Sequence, residues 1–246
     1  MSSWECSGES NLELAGKLSE KIITTARVIA AFQQTDRRDF MPVGSEALAY
    51  EDAPQSIGWG ATISAPHMHA ICVEALEPAL QPGGRVLDIG SGSGYLLAIF
   101  GRLVGPSGEV VGVDHIDELV AHANSALDAT LAPNYRTCVK NEVGDGRAYG
   151  QIEGKFDAIH IGASVNAVDD LLLDKLKLGG RLIVPVGEER GFGQELILIV
   201  KADAGVTRET LCSVRYVPLT AKSSQTQGYS AAEKERHWSG RLGSPA

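Results

Sequence analysis

Several features are missing from this chain, and each absence excludes a class. No apolar run approaches the roughly 20 residues a membrane-spanning helix needs. The first residues, Met1–Ser10, are polar and hold no apolar secretory core. Cysteine is scarce. Cys6, Cys72, Cys138 and Cys212 stand far apart with no Cys-x-x-Cys pair, which argues against a zinc site or a redox motif. Reduced thiols in the cytoplasm are the simple expectation. Positive charge is also short. Lys and Arg total 22 against 31 Asp and Glu, for a net charge of −9. A nonspecific nucleic-acid binder needs a basic surface to displace counterions, so no nucleic-acid partner is expected, and without a spanning run no membrane partner is expected either. No Pro-Pro dipeptide occurs anywhere.

What is present is ordinary for a soluble globular protein: 43% hydrophobic and 22% charged residues over 246 positions, enough to bury a core without disulfides. The 28 glycines exceed the usual share of about 7%. Residues 11–34 read as two helices. Leu12, Leu14, Leu18 and Ile22 share one apolar face, and Val28, Ile29 and Phe32 another. Residues 36–68 carry Pro42, Pro54, Pro66 and several glycines with little periodicity. Long irregular segments inside compact domains tend to be functional. A helix is expected over 70–80.

Strand and helix then alternate. Strands are expected at 85–89, 109–113, 136–143 and 156–161, and helices at 95–103, 116–129 and 168–176. Gly179-Gly180 reads as the stop of the last helix. Three further strands, at 181–186, 195–201 and 211–217, have no obvious helix between the last two. The pattern predicts an α/β fold: a doubly wound, mostly parallel sheet with helices on both faces and antiparallel C-terminal strands. The chain divides into N-terminal helices and an irregular loop (1–80), a ligand-binding core (81–225) and a polar tail (226–246) expected to be partly disordered, within one structural domain.

The first chemical signal is Asp88-Ile-Gly90-Ser-Gly92-Ser-Gly94, between a strand and a helix. Glycines there let the backbone turn tightly and approach a ligand. The spacing is not the dinucleotide G-x-G-x-x-G, and neither Ser91 nor Ser93 sits in a hydrolase G-x-S-x-G elbow. Asp114 ends the next strand, where a carboxylate can accept both hydroxyls of a ribose. The adjacent His115 reads equally well as a surface residue. Asp145-Gly146 follows the third strand. This combination looks like class I methyltransferases that bind S-adenosylmethionine, with Asp145 and Gly146 near the adenine. Methyltransferases acting on base amino groups commonly carry an Asn/Asp-Pro-Pro-aromatic motif after the fourth strand, where this chain reads His160-Ile-Gly-Ala-Ser164.

A second segment, Ile57-Gly-Trp-Gly-Ala-Thr-Ile-Ser64-Ala-Pro-His67-Met-His69, narrows the acceptor. It resembles the signature of protein-L-isoaspartate O-methyltransferases. Further ordered matches cover nearly the whole chain: Asp52-x-Pro-Gln-Ser56, Leu87–Gly94, Gly112–Leu119, Val143–Arg147, Phe156–Ala163, Leu178–Gly187 and Tyr216–Thr220. The resemblance implies a Rossmann-like, seven-stranded methyltransferase sheet. It implies that Ser64 is the active-site serine. It places Ala61, Thr62, Ile63, Ser64 and His69 beside the cofactor, together with Asp88, Gly90, Gly92, Ser93, Asp114, His115, Asp145, Gly146 and Thr220. Gln225 falls in register for one more cofactor contact. Yet Glu233–Ser239 resembles the same family tail displaced by an insertion, which would give that place to His237. The implied substrates are isoaspartyl-containing peptides and proteins, with D-aspartyl residues as a second acceptor.

The chemistry asks little of side chains. An isoaspartyl α-carboxylate of pKa near 4 is ionised at pH 7, so no general base is required. Positioning is required, and it is worth up to about 7–11 kcal/mol in ideal cases. An arginine fork would bind a carboxylate but draw electron density from it, whereas a neutral hydroxyl such as Ser64 orients it with less quenching. His67 and His69 lack a third partner for a metal, so no metal site is expected. His160 reads as a packed or hydrogen-bonded residue. A soluble enzyme with one macromolecular substrate needs no second subunit, so a monomer is expected. Two other readings stay open here: a noncatalytic adenosylmethionine-binding protein on the same fold, and an RNA or small-molecule methyltransferase.

Overall fold

The computed structural model describes residues 6–187 and 193–227. Helices α1 (Asn11–Lys21) and α2 (Ala26–Gln33) open it, with Ser10 Oγ capping α1 through the Glu13 N–H at 3.2 Å. Residues 36–68 are more ordered than their composition suggests. They hold two short 3-10 turns (Arg37–Phe40 and Glu46–Leu48) and an antiparallel hairpin of β1 (Gln55–Gly58) and β2 (Ala61–Ile63). Helix α3 (Pro66–Leu76) starts earlier than position 70. Pro66 suits a first helical turn, where its missing N–H costs nothing. Asp52 Oδ1 accepts the His67 N–H at the same end, at 3.0 Å. Strands this short, one of only three residues, leave no readable period-two pattern.

The core alternates as expected through β3 (Arg85–Ile89), α4 (Tyr95–Val104), β4 (Glu109–Asp114), α5 (Asp117–Thr130), a helical turn α6 (Pro133–Arg136), β5 (Val139–Val143), β6 (Phe156–Ile161), α7 (Asp170–Asp174), β7 (Leu176–Val186), β8 (Gln194–Ala202), β9 (Gly205–Val214) and α8 (Lys222–Gln225). The seven-stranded sheet runs β5-β4-β3-β6-β7-β8-β9, parallel through β7 and antiparallel after it.

Several further boundaries differ from the sequence reading: the helix expected over 168–176 is the five-residue α7, and the strand after it begins at Leu176 rather than at Arg181. Pro133 starts a helical turn, so the third core strand begins at Val139 rather than at Arg136. The last strand starts at Gly205, because an edge strand needs no apolar face. Gly179-Gly180 does not close a helix. It lies inside β7, where Phe156 pairs with Leu176 but Ala158 pairs with Arg181, so Lys177–Gly180 bulges out of the ladder. Gly179 has φ +79° there, and a Cβ on Gly180 would stand 2.8 Å from the Lys177 carbonyl. The tail past Gln227, including His237, and nearly all of 188–193 lie outside the described residues.

Side chains alternate across the sheet into two apolar layers. Val86, Val110, Ala158 and Ile183 join one cluster with the buried faces of α1 to α5, so the N-terminal helices share the core. Leu87, Val113, Ile159 and Leu182 join the other, with Tyr149 and Leu172. Asp88 and His160 are register partners on neighbouring strands, facing the first layer.

Candidate active site

The winding of the sheet reverses between β3 and β6, and in such sheets ligands bind beyond the carboxyl ends of the strands at that point. Backbone alone shapes the floor. Gly90 leaves β3 with φ +76° and Gly162 leaves β6, its N–H donating to the Ile89 carbonyl at 2.8 Å. A Cβ on Gly162 would meet the Gly90 carbonyl at 2.8 Å, and one on Gly146 would meet Ile89 Cγ2 at 2.4 Å. Side chains there would fill the cleft or push its wall.

Asp114, at the end of β4, is the acid of this floor. Its Oδ2 accepts the Gly92 N–H and its Oδ1 the Ile116 N–H, each at 3.0 Å. Burial holds its carboxyl above the usual range, partly offset by those two bonds.

The roof comes from elsewhere in the chain. The β1–β2 hairpin turns at Trp59, whose φ of +50° is the one positive value at a non-glycine among the described residues. Gln225, on α8, donates from Nε2 to the Trp59 carbonyl at 3.1 Å and accepts from His115 Nε2 at 2.6 Å. Lys222 pairs with Asp117 at 2.7 Å on the outer side.

Between floor and roof lies a cleft of about 520 Å³, measured out to its mouth. Ala61, Thr62, Gly90, Gly92, Asp114, His115, Gly146, Thr220 and Gln225 line it. A smaller adjoining cavity shares Thr62, Gly90 and Gly92 and adds Ile63, Ser64, His69, Asp88 and Ser93. Of the sequence-predicted positions, Asp145 alone stands apart. Its carboxylate takes an Arg147 fork at 2.9 and 2.6 Å, faces a separate groove, and is drawn down to about pKa 2 by that hydrogen bonding.

Several polar groups around the small cavity are already paired. His160 Nδ1 donates to Asp88 Oδ1 at 2.7 Å, both buried. Burial opposes the imidazolium, but the charge and hydrogen bond of Asp88 outweigh it and push His160 up to about pKa 10. His67 donates to buried Asp52 at 2.7 Å. Tyr216 interacts with Ser64 and Cys72, and burial holds its phenol far above the usual range.

Sequence reasoning missed Gly162, Tyr95, Tyr216 and Arg37. Gly162, directly after a strand, carried a readable signal. Arg37 did not: Asp36-Arg37-Arg38-Asp39 looks like solvated surface, yet Arg37 is wholly buried.

This strand order, the glycine-built floor and the acid ending β4 define a Rossmann-like methyltransferase fold. The profile described as protein-L-isoaspartate(D-aspartate) O-methyltransferase matches residues 9–224. Protein-L-isoaspartate O-methyltransferase 2 of Arabidopsis thaliana is 45% identical over 211 residues, covering 85% of this chain and 67% of its own length. The Caenorhabditis elegans protein-L-isoaspartate O-methyltransferase is 37% identical over 224 residues, with 90% and 97% covered. A Plasmodium falciparum crystal structure described as an enzyme of this kind, in complex with S-adenosyl-L-homocysteine, superposes with a TM-score of 0.76 at 30% identity, covering 87% of this chain and 99% of that one. The chain belongs to the protein-L-isoaspartate(D-aspartate) O-methyltransferase family.

Proposed function

We propose that this protein transfers a methyl group from S-adenosylmethionine to the α-carboxylate of L-isoaspartyl residues in damaged proteins, and to D-aspartyl β-carboxylates. This starts their repair through a succinimide. The observation that carries the reading is the family-signature hairpin Gln55–Ile63 closing over a glycine-built cleft at the switch point of the sheet.

The residues present suit the cofactor. Asp114 spends one lone pair of each oxygen on backbone N–H groups and keeps acceptor capacity for two vicinal ribose hydroxyls. Gly90, Gly92, Gly146 and Gly162 leave the room that a close-fitting nucleoside takes up. In this reading Ala61, Thr62, His115, Thr220 and Gln225 flank the nucleoside. Ile63, His69, Asp88 and Ser93 flank its amino-acid end. Gly146 bounds the base, with Asp145 reaching it only after leaving Arg147. When bound, the cofactor supplies an electrophilic methyl on sulfonium.

The chain's own groups then bind, orient and exclude water. Ser64, half-buried in the lining of the small cavity, offers a neutral hydroxyl to the acceptor carboxylate. No general base is needed. His69 is kept neutral by burial and by the nearby Arg37 charge, and His160 is committed to Asp88. An isoaspartyl α-carboxylate is already the nucleophile at neutral pH. The ester formed has a better leaving group than the free acid, so succinimide closure by the next backbone nitrogen needs no further residue.

One chain lines both cavities, so a monomer suffices. No helix among the described residues is long and apolar enough to cross a membrane. The reading calls for peptide and protein substrates, no nucleic acid, and action in the cytoplasm. Labelled S-adenosylmethionine offered with paired peptides, isoaspartate or aspartate at one site, tests it. Base-labile label is expected in the isoaspartyl peptide alone, and equal label in both would sink the reading.

A further inference from the structure

Arg37 is a wholly buried cation with no carboxylate in ion-pair contact among the described residues. Such a charge is costly unless something fixes it. Its guanidinium donates instead to two neutral acceptors behind the small cavity. Nη2 reaches the Ser64 carbonyl at 2.8 Å, and Nη1 lies 3.3 Å from His69 Nδ1. Its Cζ sits over the Tyr95 ring, 5.6 Å from the centroid, and its Nε has no partner. Burial lowers its pKa to about 10, which still leaves it charged at neutral pH.

The contact to His69 has only one polarity. Guanidinium donates and never accepts, so His69 Nδ1 must present its lone pair. A neutral imidazole bonded that way carries its proton on Nε2. His69 lines the small cavity beside Ser64 and Ser93, so its Nε2–H is the donor left for a ligand there.

We propose that Arg37 is a positioning residue for methyl transfer: it locks His69 in the Nε2–H tautomer and pins the Ser64 carbonyl, so that one neutral N–H and one hydroxyl meet a carboxylate at fixed spacing. The inference rests on the functional reading above. A carboxylate has two sources in that reading, the amino-acid end of the cofactor and the isoaspartyl acceptor. Setting the cation one residue behind the donors aligns either carboxylate without an ion pair that would draw density from a nucleophile. The lock needs arginine. Lysine supplies a point charge and cannot span the Ser64 carbonyl and His69 Nδ1 with a rigid fork.

Nitrogen-15 NMR of histidine-labelled protein at pH 7 tests the lock without any substrate. The wild-type protein should show His69 as the Nε2–H tautomer. An Nδ1–H form or an imidazolium would overturn the proposal, so the wild type decides it even where a variant fails to fold. In Arg37→Lys the tautomers should mix, with a loss of about tenfold in ligand recognition. A weaker Kd for S-adenosylhomocysteine would place the carboxylate on the cofactor. A raised KM for the isoaspartyl peptide at unchanged Kd would place it on the acceptor. In a His69→Gln background Arg37→Lys should cost clearly less than in the wild type, the Ser64 arm alone remaining to lose, and full additivity of the two changes would overturn the proposal. A wild-type protein with the expected tautomer but no isoaspartyl methylation would sink the functional reading and leave the lock standing.

Discussion

The floor of the cleft consists of backbone that the sheet fixes in any case. Gly90 and Gly162 leave strands already paired in register, and Asp114 is tied down by main-chain N–H groups. The roof consists of side chains meeting across long stretches of sequence: Gln225 on Trp59 and His115, and Arg37 on Ser64 and His69. A floor built this way is stiff and changes little with any one side chain, Asp114 excepted. A roof built this way depends on a few pairs and can open.

Changes to the floor should therefore cost most. Asp114→Ala removes the carboxylate proposed to accept the ribose hydroxyls and leaves the Gly92 and Ile116 N–H groups without that partner. Hydrogen bonds to charged groups contribute about 1.5–3 kcal/mol each, so S-adenosylhomocysteine affinity should fall by roughly two to four orders of magnitude in calorimetry. A loss of only a fewfold would break the contrast. His160→Leu strands the buried Asp88 carboxylate, and urea denaturation should show about 3–5 kcal/mol of lost stability. The same pair gives a pH signature. His160 is raised from 6.5 to about 10, so its contribution is full below about pH 6.5 and is lost as pH climbs through 10. Thermal midpoints should drop over that window in the wild type and less in Asp88→Asn.

Roof changes should be smaller and mainly functional. Ser64→Ala removes the hydroxyl proposed to bond the acceptor carboxylate, so turnover should fall by roughly 10- to 100-fold while cofactor affinity stays. Lost cofactor binding would instead reassign Ser64 to the architecture of the loop. Gln225→Ala frees the hairpin from α8, and cofactor dissociation should quicken about three- to tenfold in stopped flow. An unchanged off-rate would mean that the roof does not gate the cleft.

The same contrast decides what the sequence made legible. The strands β3, β4 and β6 announce themselves by short apolar runs, and the loop after β3 by its glycines, so nearly every floor position was readable. The roof was readable only through likeness to a family, because a hairpin with a three-residue strand has no period. Register left Gln225 and His237 as rivals. The fold places Gln225 in the cleft, while His237 lies outside the described residues. Arg37 left no trace, since burial of a charge in a charge-rich stretch is decided by packing alone. Gly179-Gly180 misled for a related reason: a glycine pair marks a departure from regular backbone, and a bulge within a strand fits that as well as a helix end.

The Gln225–Trp59 bond joins residues 166 positions apart. Contacts that distant in sequence form late, because the long intervening loop must first be organised. During translation the glycine floor, complete at Gly162, emerges well before α8. A nascent chain can thus assemble the floor and the hairpin while the Gln225 clasp between hairpin and His115 is still unmade. A chain cut short before Gln225 keeps the glycine floor but loses the clasp on the hairpin, and its cofactor should leave faster.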